Sequence, residues 1–333
     1  MKSPQTIPPP AQPPTAGQPP AVDVQGLERS FRGTVALAGV DLSVPQGSIF
    51  GLVGLNGAGK TTLIRHLIGS LKAHQGKVRV LGHDPVADPE GVLKRIGYLT
   101  EEDSLPKWMR VGELIDFTRA LYPTWDNAYA TELCDLFSLA RSTKLRSLSK
   151  GQRARAGLLV AIAHRPELLI LDEPSSGLDP IARRDILEAI IRTVSDDGRT
   201  VLFSSHLLDE VDRVCDHIAV MHDGRIIETT TTESIATDYA EIICRPKSAW
   251  SSPPSIQGVW GWQSSGQEWS AAAQRDRLES PEISSEIGLI QTRPMSLERW
   301  FAARVGRGGD GTSHPSPSAP NSVAKDSEAP NHV

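Results

Sequence analysis

The sequence predicts an α/β protein with a mainly parallel core sheet, and three observations carry that prediction. From residue 49 onward, apolar runs of strand length alternate with segments whose apolar residues recur at helical spacing. One such run, SIFGLVG, leads straight into a glycine-rich loop and a helix, with residues 54–61 reading GLNGAGKT. Another, LLILD, ends in the acidic pair Asp172 and Glu173. Strands interleaved with helices suit a parallel sheet, because each parallel connection has to cross back over the sheet.

Bulk properties narrow the classes. A chain of 333 residues with 39% hydrophobic residues can bury one large core and leave room for a small appendage. The net charge of −5, with Lys and Arg scattered among acids, gives no global reason to expect nucleic acid as a partner. Cys134, Cys215 and Cys244 lie far apart without a CxxC or Cys/His spacing, which predicts idle thiols in a reducing cytoplasm. No apolar run approaches the roughly 18–20 residues of a membrane-spanning helix. The start, MKSPQTIPPPAQPP, lacks the apolar core of a signal peptide. A role at a membrane would therefore need another chain to do the spanning.

In chain order, residues 1–22 are rich in Pro, Gln and Ala and read as a disordered tail, partly polyproline II. VDVQGLERSF and VALAGVDLSV read as strands of an antiparallel edge, SIFGLVG as a buried strand, and GKTTLIRHLIGSL as a helix. KVRVLG and RIGYLT are short strands. Residues 111–164 turn helical in VGELIDFTRALY, NAYATELCDLFSLA and KGQRARAGLLVAIAH, which predicts a helical subdomain inserted at about 101–165. LLILD, TVLFSS and HIAVMHDGRII return to strand, with a helix over 180–195 between the first two. The main domain is expected to span 23–228, followed by a small α+β appendage over 229–304 and a disordered tail over 305–333. Five of the seven tryptophans lie in the appendage. There, GVWGWQ and QEWSAAA flank SSG as a hairpin, and SLERWFAARV is a terminal helix with Ser296 as N-cap and Glu298 in its first turn.

The chemistry centres on residues 54–62. Gly54, Gly57 and Gly59 let backbone N–H groups turn inward towards phosphates, within a loop completed by Leu55, Asn56, Ala58 and Thr62. Lys60 supplies positive charge to the outer phosphates and Thr61 a hydroxyl for Mg²⁺, while the helix that follows presents its positive end. Asp172 is placed to hold the Mg²⁺ shell, and Glu173 to polarise a water for in-line attack on the terminal phosphate. In LSKGQRARAG, Ser149 and Gly151 open a helix whose N-terminal amides either form a second anion site or are simply capped.

Taken together, GLNGAGKT (54–61), LSKGQ (148–152), LLILDE (168–173), SGLD (176–179) and His206 in LFSSHLLDE resemble, in order, the Walker A, signature, Walker B, D-loop and switch-histidine motifs of the ATP-binding cassette (ABC) family. The resemblance covers about residues 22–228. It implies a P-loop NTPase cassette that hydrolyses ATP with Mg²⁺. It also implies that two cassettes meet head to tail, so that Ser149, Gly151 and Gln152 of one cap the ATP held by the other. On the same grounds His206 would contact the γ-phosphate, and Asp179 would communicate across the interface. Phe31 matches the aromatic that stacks on adenine, where the family more often has Tyr; a core position is the alternative. Lys150 replaces the usual first signature glycine and is read as pointing to solvent, with a role in ATP binding as the alternative. At Glu101 the family usually has Gln, which reaches Mg²⁺ in a loop that touches the membrane partner. Glu101 is thus a candidate metal ligand, or else a solvated acid beside Glu102 and Asp103.

The resemblance implies the separate ATPase subunit of a transporter, a homodimer or heterodimer of cassettes docked on separately encoded permease subunits at the cytoplasmic face of the membrane. EEDSLPKWM (101–109) is the expected contact. The terminal SLERWF resembles the segment that ends many export-type cassettes, which favours export. Two other classes stand against this. A soluble cassette ATPase acting on ribosomes or DNA would carry two cassettes or long coiled-coil insertions, and a purely binding module would not need both Glu173 and His206.

Overall fold

The computed structural model describes residues 18–101, 104–195, 198–246, 250, 252–280, 283, 287 and 289–306. Most of the two expected tails, together with Glu102 and Asp103, lies outside these residues.

A six-stranded sheet runs through the molecule in the order β5-β6-β7-β3-β8-β9. These strands are β3 (Ile49–Val53), β5 (Ile96–Leu99), β6 (Leu168–Asp172), β7 (Thr200–Ser205), β8 (His217–His222) and β9 (Arg225–Thr231). The first five are parallel, and β9 returns antiparallel beside β8. Side chains of the central strands alternate between two cores, as the two-residue period of a strand dictates. Phe50, Leu52, Leu168, Ile170 and Leu202 enter the core beneath an antiparallel sheet. Val53, Leu169, Leu171, Val201 and Phe203 enter the core on the helical side. Both faces are buried, so these strands appear in the sequence as unbroken apolar runs.

The antiparallel sheet is β2-β1-β4, formed by β1 (Val22–Phe31), β2 (Thr34–Val44) and β4 (Gln75–Val80). Between it and the main sheet lies helix α1 (Lys60–Leu67), with Leu63, Ile64 and Leu67 fully buried. A short helix α2 (Pro89–Leu93) precedes β5. Helices α3 (Val111–Leu121), α4 (Asn127–Leu136) and α5 (Lys150–Ile162) form the segment between β5 and β6, and α5 packs against α6 (Pro180–Ser195). Asp126 caps α4 by accepting from the Tyr129 amide at 2.9 Å. All three cysteines are free and buried.

Beyond α7 (Leu208–Val214) and α8 (Thr232–Asp238) stands a four-stranded antiparallel sheet, order β11-β12-β10-β13. Its strands are β10 (Tyr239–Cys244), β11 (Val259–Ser265), β12 (Glu268–Gln274) and β13 (Leu289–Pro294), and helix α9 (Leu297–Val305) follows. Ser296 caps α9 through the Arg299 amide at 3.2 Å.

Three expected boundaries move, one of them at Val305, which was assigned to the terminal tail but ends α9 and packs against the main core. Val22, assigned to the tail, is a buried residue that opens β1 opposite Val44 and Val80. Residues 229–231, assigned to the appendage, pair with His217, Ile218 and Ala219 as the end of β9. The change of character at about residue 229, where the Trp-rich stretch begins, suggested a boundary there, but strand pairing carries β9 on to Thr231.

Candidate active site

The carboxyl ends of β5, β6, β7 and β3 are neighbours in the sheet. Each carries one of the segments singled out in the sequence: Glu101 after β5, Asp172 and Glu173 at β6, His206 after β7, and the glycine loop after β3. Ligands of parallel α/β sheets bind at this edge. A cleft of about 360 Å³ opens there, lined by Ala36, residues 56–62, Glu101 and Glu173.

The loop reaches this edge because its glycines permit it. Gly59 has φ 111°, and a Cβ there would lie 2.7 Å from the Ala36 carbonyl oxygen, so only glycine fits. No side chain caps α1, which leaves its first N–H groups for an anion. Lys60 is buried, and its Nζ donates to the carbonyls of Gly54 at 2.7 Å and Leu55 at 3.3 Å. The same ammonium lies 3.1 Å from Glu173 Oε1.

Glu173 is buried and adopts φ 49°, a left-handed conformation that costs a non-glycine residue about 1–2 kcal/mol. Its Oε2 lies 2.7 Å from His206 Nδ1 and accepts from the His206 amide at 3.3 Å. One carboxylate thus joins Lys60 to His206. Asp172 lies opposite Ser204 in register. Ser204 Oγ donates to Asp172 Oδ1 at 2.7 Å and accepts from the Glu173 amide at 3.0 Å. Asp172 Oδ2 is buried with no hydrogen-bond partner among the described residues. Burial pushes the Asp172 carboxyl above its ordinary range, against the lowering effect of Ser204 and the nearby Thr61 hydroxyl.

A leftover buried carboxylate oxygen beside a threonine hydroxyl suits a hard divalent cation, which takes few protein ligands and completes its shell from substrate oxygens. No group of three or more His, Cys, Asp or Glu side chains among the described residues forms a closed metal cage. Glu101 is exposed at the rim, where Ser176 Oγ donates to its Oε1 at 3.4 Å.

The remaining expected residues lie elsewhere. Phe31 is 40% exposed at the end of β1, with the Arg29 guanidinium 4.8 Å from its ring centroid. It is therefore no core residue, and it is not among the side chains lining the phosphate cleft. Ser149 and Gln152 also stand outside that cleft, joined in a reciprocal cap: Ser149 Oγ accepts from the Gln152 amide at 3.2 Å, and Gln152 Oε1 from the Ser149 amide at 2.9 Å. Asp179 Oδ1 accepts from the amides of Ile181 and Ala182, each at 3.0 Å, and these bonds help hold its carboxyl below the ordinary range. A Cβ on Gly151 would meet Ala182 Cβ at 2.8 Å, so α5–α6 packing alone requires that glycine. Lys150 is exposed, and its Nζ also donates to the Ser176 carbonyl at 2.7 Å, because the turn before α6 passes over the start of α5.

Sequence reasoning missed Ser204 and Ala36. It also missed a buried carboxylate, Glu210, which accepts from Ser175 Oγ at 2.5 Å and lies 3.1 Å from Arg183 Nε. The Ser-Ser pair before His206 was the available signal for Ser204, but its partner depends on strand register.

Residues 37–176 match the sequence profile of the ABC transporter family. The chain is 38% identical over 230 residues to the daunorubicin/doxorubicin resistance ATP-binding protein DrrA of Streptomyces peucetius, covering 68% of this chain and 69% of that protein. It is 32% identical over 204 residues to the bacitracin transport ATP-binding protein BcrA of Bacillus licheniformis, covering 61% and 67% respectively. Among solved structures, an ATP-binding subunit of an ABC transporter superimposes with a TM-score of 0.60 at 28% identity, covering 65% of this chain and 91% of that one.

Proposed function

The chain belongs to the ATP-binding subunits of ABC transporters, and from that membership we propose that it works as a pair of cassettes docked on separately encoded membrane permease subunits at the cytoplasmic face, driving export. The observation that carries the reading is the junction at Glu173, which lines the cleft with Lys60 and lies 3.1 Å from Lys60 Nζ and 2.7 Å from His206 Nδ1.

In this reading the amides of residues 56–60 and the Lys60 ammonium hold the triphosphate of ATP. Arriving phosphate oxygens give Lys60 other partners, which frees Glu173 Oε1 to accept a proton from the attacking water. His206 keeps that carboxylate aimed through its bond to Oε2. While Nδ1 donates to Glu173, a bond from Nε2 to the terminal phosphate needs the doubly protonated ring. Thr61 and Asp172 would hold Mg²⁺, with Glu101 a third oxygen donor from the rim; bound there, the cation offsets phosphate charge. Phe31 offers an open aromatic face for adenine.

Ser149, Gly151, Gln152 and Asp179 reach their nucleotide only when a second cassette brings them across, since none of them lines the phosphate cleft of its own chain. We place the ATPase domain at 22–231, with 101–165 its helical part, and read 232–305 as an accessory unit that stabilises or regulates. No helix among the described residues is long and apolar enough to cross a membrane. Trp108, 74% exposed within the predicted contact segment, is an apolar side chain suited to a permease surface. The terminal segment SLERWF, and similarity to relatives named for drug resistance and bacitracin transport, support the reading of export.

The test is crosslinking from cysteines introduced at Pro106 and Trp108, with the membrane protein of the adjacent reading frame co-expressed. Crosslinks to a multi-span protein, and sedimentation with membranes only when it is present, are expected. Crosslinks confined to ribosomal proteins or DNA would overturn the reading.

A further inference from the structure

We propose that Ser204 is a positioning residue for hydrolysis: its single hydroxyl fixes the Asp172 carboxylate and the Glu173 backbone together. The inference rests on the ATPase reading above and deepens it.

Ser204 is fully buried near the end of β7, following Val201, Leu202 and Phe203, which are buried and apolar. An apolar side chain would continue that pattern, so packing does not account for a serine here. Hydrogen-bond directions at Oγ are forced. An ionised carboxylate only accepts and an amide only donates, so the hydroxyl proton goes to Asp172 Oδ1 and a lone pair receives the Glu173 N–H.

Two consequences follow. With Oδ1 engaged, the Asp172 carboxylate has a fixed rotation, and Oδ2 is the oxygen kept free for a cation. The bond to the Glu173 amide also holds that residue in its left-handed turn, and so sets where its carboxylate meets Lys60 and His206. Loss of the hydroxyl would leave a buried amide unpaired and let Asp172 rotate. The neighbouring Ser205 does not duplicate this role, because its Oγ accepts from the Leu207 amide at 3.0 Å and makes no hydrogen bond to either acid.

The experiment compares the full-length chain with Ser204→Ala and Ser204→Thr. Affinity for a fluorescent ATP analogue is titrated with excess Mg²⁺ and with EDTA, and kcat is measured in parallel. In Ser204→Ala the gain in affinity from Mg²⁺ should shrink about tenfold, equivalent to about 1.4 kcal/mol. Affinity in EDTA should stay within about twofold of wild type, since Lys60 and the loop amides are untouched. Turnover should fall at least as far, and Ser204→Thr should restore both quantities. Circular dichroism and thermal melting establish folding; were the alanine variant unfolded, Ser204→Cys, which nearly keeps the volume but weakens the donor, is read in its place. A folded Ala or Cys variant with the wild-type Mg²⁺ gain would overturn the proposal, as would a Thr variant as impaired as Ala. Glu173→Gln separates the two levels. If wild type hydrolyses ATP, Glu173→Gln stops it and Ser204→Ala behaves as wild type, only the Ser204 assignment fails. If wild type hydrolyses no ATP with its permease present, the ATPase reading fails and takes this inference with it.

Discussion

At the scale of single residues, Glu173 concentrates most of the site's strain and charge. It combines a left-handed backbone, a carboxylate buried to 7% exposure, a lysine at 3.1 Å and a histidine at 2.7 Å. A group held this way persists only where its surroundings over-determine it, which is common at reacting centres. Glu173→Gln keeps size and hydrogen-bonding capacity but removes the base. We expect turnover to fall at least about 100-fold, within the range general-base catalysis supplies. Nucleotide binding should persist, and an ATP-bound dimer should accumulate. Turnover by single-turnover kinetics and dimer content by sizing chromatography with ATP and Mg²⁺ check this; near-wild-type turnover would remove Glu173 from the role. The identity of this residue was legible in the sequence, because an acid following a buried strand and a phosphate loop admits few readings. Its ties to Lys60 and His206 were not, since they join residues more than 30 positions apart whose meeting depends on strand order. Ser204 was hidden for the same reason: it faces Asp172 only because β6 and β7 are in register.

At the scale of elements, strands and long helices were the most legible features, since buried parallel strands leave unbroken apolar runs and caps such as Ser149, Asp126 and Ser296 leave polar residues at helix starts. Contacts between elements were less so. Lys150 is exposed, but nothing in LSKGQ reveals that its Nζ bonds the turn at Ser176. The family signature also proves to be a packing device as well as a prospective phosphate cap, and Gly151→Ala weighs the two. Alanine favours the helix by about 1 kcal/mol over glycine. Its Cβ would, however, meet Ala182 Cβ at 2.8 Å and Asp179 Oδ2 at 3.2 Å. Ala182 is fully buried and its Cβ is fixed to the backbone of α6, so the neighbour cannot swing away. Overpacking of about 1–3 kcal/mol should therefore win. A Tm lowered by a few degrees in the absence of nucleotide is expected by differential scanning calorimetry. An unchanged Tm with lost ATPase activity would instead place the importance of Gly151 at the partner's nucleotide.

At the scale of the whole molecule, the accessory sheet shares a core with the cassette. Trp260, Ala272, Leu297, Trp300 and Phe301 belong to the same buried cluster as Val211 and Val214 of α7, the helix just after His206. Arg304 of α9 pairs with Glu228 of β9 at 2.9 Å and lies 4.1 Å over the Trp260 ring. A cut after Glu228 therefore removes the last three residues of β9 as well as the cover over α7, and the product should be insoluble whatever the accessory unit does. A point substitution asks the question more cleanly. Trp300 is fully buried, so Trp300→Ala should cost about 3–5 kcal/mol by cavity formation. No described residue beyond β9 lines the cleft, and affinity for ATP should stay within about twofold of wild type. The turnover rate is the informative quantity, because α9 rests against α7 and α7 follows His206. If the accessory unit only stabilises, kcat measured well below the lowered Tm should equal the wild-type value. If it also steadies His206, kcat should fall while affinity holds. Loss of nucleotide binding in a variant that melts cooperatively would contradict both, and would make the accessory unit part of the site itself.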